Sequence, residues 1–527
     1  KMIINANNVE KISIDSDICI IGTGPAACSF IEKFLDSEFS ITIIESGNFS
    51  FDKNVNTLNE GQSKVFGNFP HENYMLKSAR VRMIGGTSNV WAGWSGPLLD
   101  EDFKKKDWIP NSGWQINYED LKNYYFEAQK ILGLSEFIYD EKLFNYYPEE
   151  LKLSKLDKLD HSFWQFSDPP LNFKKKYKNK FKKSKNINLY YNCTATKFTK
   201  EIEKKILKNI ETFNEKKEKI LFNAKFFVLA CGGIENASLL LNSKTNVSEL
   251  EKNQNIGNYF FEHPHITLAK GKTNDRNFLE TYKKQKLKNL GNIQSLAGFS
   301  VKEITRKKNQ ILNCVTVLSD HNLLDVESAI IIRHNLALGG QIIKANKLIN
   351  IFLKNLPKLL KNLNLILNNF VFKSKTFHLI CRLEQQPVYE NKVYLSKAKN
   401  KYDNYLPNIS WELSDLDYKT LRDNYNIIKK IFDDNKIAEI EPSNFIKLLD
   451  KNKKKDVFAV GHHMGTTRMS ENSYTGVVNK DLKVHNLDNL YIAGSSVFPT
   501  GGFINPTMTI IALSLKLSNH INKMLKI

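Results

Sequence analysis

Six cysteines are scattered over 527 residues, at positions 19, 28, 193, 231, 314 and 381, and no two form a CxxC pair. Zinc-site and dithiol-redox spacings are thereby excluded, and no metal site is expected. Cys19, Cys193 and Cys231 stand in strand-like apolar contexts. They read as buried reduced thiols of a reducing, cytoplasmic compartment. No uncharged apolar run reaches the roughly 18 residues a spanning helix needs, and no signal-peptide pattern is visible. Arginine is scarce: Arg80, Arg82, Arg276, Arg306, Arg333, Arg382, Arg422 and Arg468 are all there are, although the formal net charge is +20. Readers of nucleic acid rely on the arginine fork. Here the basic excess is almost all lysine, in runs such as Lys174, Lys175, Lys176 and Lys453, Lys454, Lys455 amid abundant Asn and Ile. That pattern reads as coding bias, and no nucleic-acid partner is expected. Internal repeats are also lacking. Apolar mass is not: 33 Phe, 20 Tyr and 41% hydrophobic residues exclude wholesale disorder. A chain of this length spans several domains and buries a core without disulfide or zinc staples.

The amino-terminal region carries the first chemical signal. Asp17-Ile18-Cys19-Ile20-Ile21 reads as a buried parallel strand. Gly22-Thr23-Gly24-Pro25-Ala26-Ala27 follows as G-x-G-x-x-A, and helical spacing continues from Cys28 to Phe34. A second apolar run, Ile41 to Ile44, ends at Glu45. Gly22 permits a tight turn, Gly24 lets a pyrophosphate approach the backbone, and Ala27 lets helix and strand pack closely. The helix start offers N–H groups to phosphate. Glu45 stands where a ribose-binding acid belongs. Strand, loop, helix, strand and acid together predict a dinucleotide site. FAD and a nicotinamide cofactor both remain open on this motif alone.

Three further blocks narrow the reading. Gly85-Gly86-Thr87-Ser88-Asn89-Val90-Trp91-Ala92-Gly93 is a glycine-rich loop preceded by Arg80 and Arg82. His462-His463-Met464-Gly465-Thr466-Thr467-Arg468-Met469 lies near the end. Asn489-Leu490-Tyr491, then Val497-Phe498-Pro499-Thr500, then Asn505-Pro506-Thr507 follow in order. With the amino-terminal motif, these blocks resemble the glucose–methanol–choline (GMC) flavoprotein oxidoreductases. The G-G-T-S-x-x-W loop is similar to that of the sugar-oxidising, pyranose-oxidase-like branch. So are Ser112-Gly113-Trp114-Gln115-Ile116, Tyr118-Glu119-Asp120-Leu121, Glu262-His263-Pro264 and Glu384-Gln385-Gln386-Pro387.

The resemblance implies an α/β fold: a discontinuous Rossmann-like FAD-binding domain over 1–100, 190–270 and 455–527. The second part, 101–189 and 271–454, is expected to be an α+β substrate-binding domain with an antiparallel sheet; the alternating residues Lys392-Val393-Tyr394-Leu395 are read as one of its strands. It implies FAD contacts at Gly22, Gly24, Pro25, Ala26 and Glu45; at Gly86, Thr87, Asn89, Val90 and Trp91; and at Ala195, Ala230, Gly494, Ser495, Pro506 and Thr507. Val90 stands where some relatives carry the histidine that tethers FAD, so the FAD is expected to be non-covalent.

Oxidising a CH–OH group requires a base for the hydroxyl proton and a hydride acceptor, here flavin N5. The resemblance assigns the base to His462 and the hydroxyl anchor to Asn505. His463 is expected to point away, His263 to be a loop anchor, and Arg468 to be structural. The expected reaction is oxidation of a sugar or glycoside in a small-molecule site; the electron acceptor (oxygen, a quinone or a protein) stays open. Alternatives are non-oxidative chemistry of the photodecarboxylase or lyase type, a simple-alcohol dehydrogenase, a nicotinamide-dependent dehydrogenase and a binding protein. Lastly, Ile349, Phe352, Leu353, Leu356, Leu360, Leu363, Leu367 and Phe370 repeat at helical spacing with lysines on the other face. The 347–370 segment is thus expected to cover a core or an oligomer contact, to lie on a membrane surface, or to serve as a mobile lid.

Overall fold

Two isoleucine-rich runs set the first sheet. Ile18, Cys19, Ile20 and Ile21 close the strand Ser13–Ile21, and all of Ile41–Ile44 is buried. β-branched side chains suit strands covered on both faces. These two pair in parallel, Ile20 opposite Ile43. The computed structural model describes residues 2–65, 76–77, 79–151, 158–201, 203–291, 293–319, 353, 356, 375–449, 457–458 and 461–527. Among them the mixed sheet runs Ile3–Asn5, Ile187–Tyr191, Ile41–Ile44, Ser13–Ile21, Lys219–Leu229, Leu207–Asn214, Cys193–Lys200, with Leu490–Ile492 also paired to Lys219–Leu229. The first five strands and Leu490–Ile492 are parallel, and the other two turn antiparallel. The strand Ile187–Tyr191 straddles residue 190, the expected segment boundary, because its partner is Ile41–Ile44.

Helix Thr507–Leu525 packs against helices Pro25–Phe30 and Tyr118–Leu132. Its small polar residues lock the contacts: Ser518 donates to the Phe30 carbonyl at 2.7 Å, and Thr509 meets the Tyr125 hydroxyl at 3.0 Å. This helix follows Asn505-Pro506 directly, so its packing fixes where Asn505 stands.

A second, antiparallel sheet supplies the opposing wall. Among the described residues its order is Gln285–Leu287, Ile293–Val301, Cys314–Ser319, Thr376–Leu383, His265–Lys272, Glu439–Pro442. Leu159–Phe166 joins it through Ile293–Val301. Helix Asp415–Asp434 covers it, burying Leu421, Ile428 and Phe432. One expectation needs correcting here. The strand Lys392–Lys399 lies in neither large sheet. It pairs with Tyr405–Trp411, which runs parallel to Ser63–Val65, in a separate three-stranded sheet. Alternation showed a half-covered strand but could not show its partner. The amphipathic 347–370 segment lies outside the described residues except for Leu353 and Leu356. Among the described residues, no helix is long and apolar enough to cross a membrane.

Candidate active site

A cavity of about 510 Å³ lies between the two sheets. One end is built by turns that follow parallel strands, where open α/β sheets hold their ligands. Gly22 turns the chain at φ +104°, and a Cβ there would meet the Ala230 carbonyl oxygen at 2.5 Å. Only glycine fits both constraints. Gly24 is different: a Cβ would meet nothing within 4 Å, because the position faces open space. Gly22, Gly24, Pro25 and Ala26 all line the cavity. Glu45 follows the next strand and is buried. Its Oε2 accepts from the Thr23 hydroxyl at 2.5 Å and its Oε1 from the Gly47 N–H at 2.9 Å. Burial pushes its carboxyl up, against those hydrogen bonds. Ala195, Ala230, Gly494 and Ser495 reach the same cavity from the other strands.

The glycine-rich loop closes over this end. Gly86, Thr87, Val90 and Trp91 line the cavity, whereas Asn89 does not. Asn89 donates Nδ2 to the carbonyls of Ile84 and Gly86, at 2.9 and 2.8 Å, and so holds the loop. Trp91 donates Nε1 to the Leu171 carbonyl at 2.7 Å. Two lining arginines share one acid: Glu235 bonds Arg80 through Oε1 and Arg82 through Oε2, the latter at 2.8 Å. The paired guanidiniums hold the Glu235 carboxyl below its ordinary range despite its burial.

The other end gathers the remaining candidates. Pro506 and Thr507 line it together with His462 and Asn505. Asn505 Nδ2 lies 2.9 Å from His462 Nε2, and His462 Nδ1 lies 3.1 Å from His263 Nδ1. His263 Nε2 lies 3.2 Å from the Gly501 carbonyl oxygen, which can only accept. The direction of the whole series follows. His263 donates from Nε2 to Gly501, His462 donates from Nδ1 to His263, and Asn505 donates from Nδ2 to His462. The Nε2 lone pair of a neutral His462 therefore faces Asn505. Asn505 Oδ1 in turn accepts from Trp164 Nε1 at 3.1 Å and from an Arg382 Nη1 at 3.3 Å.

Electrostatics keep these rings neutral. Burial, then the neighbouring His263, Arg382 and His463, pulls His462 well below its ordinary 6.5. Burial brings His263 down to about 4 and His463 down to about 3. His463 also lines the cavity, against the expectation that it points away; its Nε2 lies 3.4 Å from the Glu262 carboxylate and its ring is tilted against Phe260. The Glu262 Oε2 accepts the His462 backbone N–H at 2.8 Å and fixes that loop. Arg468 donates to the Asn111 carbonyl at 2.6 Å and lies over the Tyr259 ring, away from the cavity.

Sequence reasoning passed over several residues. His263 does not line the cavity but is a direct neighbour of His462 rather than a loop anchor alone. Arg382 and His265 line the His462 end of the cavity. They are directly opposed in register across the strands Thr376–Leu383 and His265–Lys272, so their side chains share one face of the antiparallel sheet. Glu235 was unmarked as well. A signal existed for Arg382, since it stands two residues before the Glu384-Gln385-Gln386-Pro387 block.

The residues fit a dinucleotide. The open face at Gly24, the buried acid at Glu45 and a single cavity leading to His462 supply a turn, a ribose partner and a reactive end. Residues 387–514 match the GMC oxidoreductase family model. A pyranose 2-oxidase of Tricholoma matsutake is 42% identical over 55 residues, 10% of this chain and 10% of that protein. A 2-methyl-1,2-propanediol dehydrogenase of Mycolicibacterium austroafricanum is 39% identical over 62 residues, 12% of this chain and 11% of that protein. The chain thus matches about a tenth of the length of these curated relatives. The fold extends much further. The Aspergillus oryzae formate oxidase structure superposes with a TM-score of 0.58 at 16% identity, covering 97% of this chain and 99% of that one. The GMC oxidoreductase family model thus covers about a quarter of the chain, and over nearly its whole length the chain shares the fold of the formate oxidase structure.

Proposed function

We propose that the protein is an FAD-dependent oxidoreductase that oxidises a CH–OH group, with a sugar or glycoside as the donor class. The observation that carries this reading is the 2.9 Å pairing of His462 Nε2 with Asn505 Nδ2 at the end of a dinucleotide-shaped cavity. The FAD-bearing formate oxidase of the same fold and the short match to a pyranose 2-oxidase support it. Bound FAD would supply the hydride acceptor. Gly22, Gly24 and Glu45 would hold its ADP half, and the loop of Gly86, Thr87, Val90 and Trp91 would cover the diphosphate and ring. With Val90 at the tethering position, the cofactor is held without a covalent bond.

The chain's own residues manage the proton. A donor hydroxyl enters between Asn505 and His462, accepts from Asn505 Nδ2, and passes its proton to His462 Nε2. The resulting imidazolium keeps its Nδ1–H bond to His263, whose ring is fixed by Gly501. Burial keeps His462 neutral before the donor arrives, which a base requires.

The test is anaerobic titration of the purified yellow holoprotein with neutral sugars, glycosides, sugar acids and simple alcohols. Bleaching near 450 nm by a CH–OH donor is expected; admitting air then assigns the acceptor. A flavin-free protein, or a flavin that none of these donors bleaches, overturns the reading. Acid precipitation should leave the flavin in the supernatant, and flavin in the pellet would refute non-covalent binding.

A further inference from the structure

Arg382 is a buried cation with no carboxylate partner among the described residues. It is 7% exposed and forms no ion pair with a described residue. Its one hydrogen bond to a described residue runs from Nη1 to Asn505 Oδ1, at 3.3 Å. Nε is fully buried and has no partner. The guanidinium lies 3.6 Å from the centre of the Trp94 ring and 4.9 Å from that of Trp164. These cation–π contacts compensate part of its desolvation. Of its five N–H donors, only one is hydrogen-bonded to a described residue, and Nε has no partner. A buried donor without a partner is costly, and more so when charged.

The surrounding imidazoles, kept neutral by burial, offer no counter-charge. His265, opposite Arg382 in register, has a buried Nε2 without a partner. His263 and His462 stand beside it. The buried acid Glu262 is directed at the His462 backbone and at His463. Burial also drags the guanidinium down to about 9, with no neighbouring acid to oppose the shift.

We infer that the donor is a hydroxy acid whose carboxylate is seated on Arg382. The inference rests on the CH–OH reading of the same site. Arg382 is one hydrogen bond from Asn505, which would anchor the reacting hydroxyl, so the carboxylate belongs on the carbon next to the carbinol. A 2-hydroxy carboxylate fits that spacing, and a polyhydroxy acid of the aldonate type joins it to the carbohydrate reading. The planar guanidinium offers two parallel N–H bonds to such a carboxylate. Such a carboxylate would complete the charge balance that this end of the cavity lacks.

The experiment compares matched donors on the holoprotein: gluconate with glucose, and glycerate with glycerol, by anaerobic flavin reduction. The acid of each pair should give the higher second-order reduction rate by about 10- to 100-fold, the worth of one or two charge-assisted hydrogen bonds. In R382M the acid-over-neutral preference should collapse to within a few-fold, read as a ratio so that any loss common to both donors through Asn505 and His462 cancels; in R382K part of the preference should remain. Binding of a non-oxidisable carboxylate, propionate, is measured in parallel by calorimetry. Wild type should bind it competitively with donor, and R382M should not.

A preference for the neutral member overturns the inference but leaves the CH–OH reading standing. So does an unchanged ratio in R382M. A changed flavin midpoint potential with an unchanged donor ratio also overturns it, because it assigns the guanidinium to the cofactor. If no donor bleaches the flavin but Arg382-dependent propionate binding is found, the CH–OH reading fails while the anion site stands. If R382M does not fold, the wild-type ratio and R382K decide the matter.

Discussion

The two ends of the cavity treat buried arginine in opposite ways. At the cofactor end, Arg80 and Arg82 share Glu235, and Arg82 also donates to Asn59 Oδ1 at 2.8 Å and to Ser46 Oγ at 3.2 Å. At the catalytic end, Arg382 has two indole faces and one asparagine oxygen. The first arrangement gives both guanidiniums a shared carboxylate, leaving one net positive charge, and gives the cleft a fixed shape before any ligand arrives. The second leaves donors open within reach of the reacting group. Buried ion pairs are costly to break and modest in net worth, so the first end reads as scaffold. An open cation in the reaction chamber reads as recognition.

The comparison can be broken most severely at the catalytic end. His462→Ala should retain FAD and lower the flavin reduction rate by about 10³-fold, within the range of a general base; rapid-mixing spectroscopy checks it. The cofactor end should instead respond in stability. Glu235→Ala leaves two guanidiniums facing each other, and removing one partner of a buried pair costs about 3 kcal/mol. A lower urea midpoint for the apoprotein would show it. Glu45→Gln should weaken FAD binding by about tenfold, the worth of a single hydrogen bond to a charged group, read by fluorescence titration of the apoprotein. The smallest effect sharpens the contrast through pH. His462 is held below its ordinary 6.5, so reduction should persist below pH 6.5 before it falls. Arg382→Met removes a positive neighbour, so the acid limb should move to higher pH; a limb that stays in place would deny the coupling.

The same histidines link folding to pH. His263, His265, His462 and His463 are all depressed by burial. At these four sites the unfolded chain therefore binds more protons than the folded one below pH 6.5, and their contribution to stability is lost as pH falls through that region, opposed in part by the raised carboxyls of Asp102 and Asp417. A urea midpoint that rises on acidification from pH 7 to 5 would contradict this.

What the sequence disclosed follows from distance along the chain. Gly22, Gly24 and Glu45 were legible because turn, strand and acid stand within 24 residues, each with a local reason for its identity. His462 and Asn505 were legible through the family resemblance, which fixes their blocks and their order. Arg382 and His265 were not legible. They meet only because two strands more than 100 residues apart pair in one register, and hydrophobic patterning carries no partner information. Asn89 shows the reverse case: a residue marked for the cofactor spends its amide on the carbonyls of its own loop. The strand at Lys392 was read with the right conformation and the wrong neighbours.

The hydrogen-bond series from Asn505 to Gly501 has one more consequence. It ends on a backbone carbonyl, which cannot take up a proton and hand it on. In the proposed reaction a proton captured by His462 can visit the His263 ring but finds no exit beyond it among the described residues. It would be parked on the imidazole pair until the ligand side of the cavity offers a way out. On that proposal, release of the proton is tied to product departure or to reoxidation, and solvent exchange into the His462 ring should be slow while the chamber is occupied.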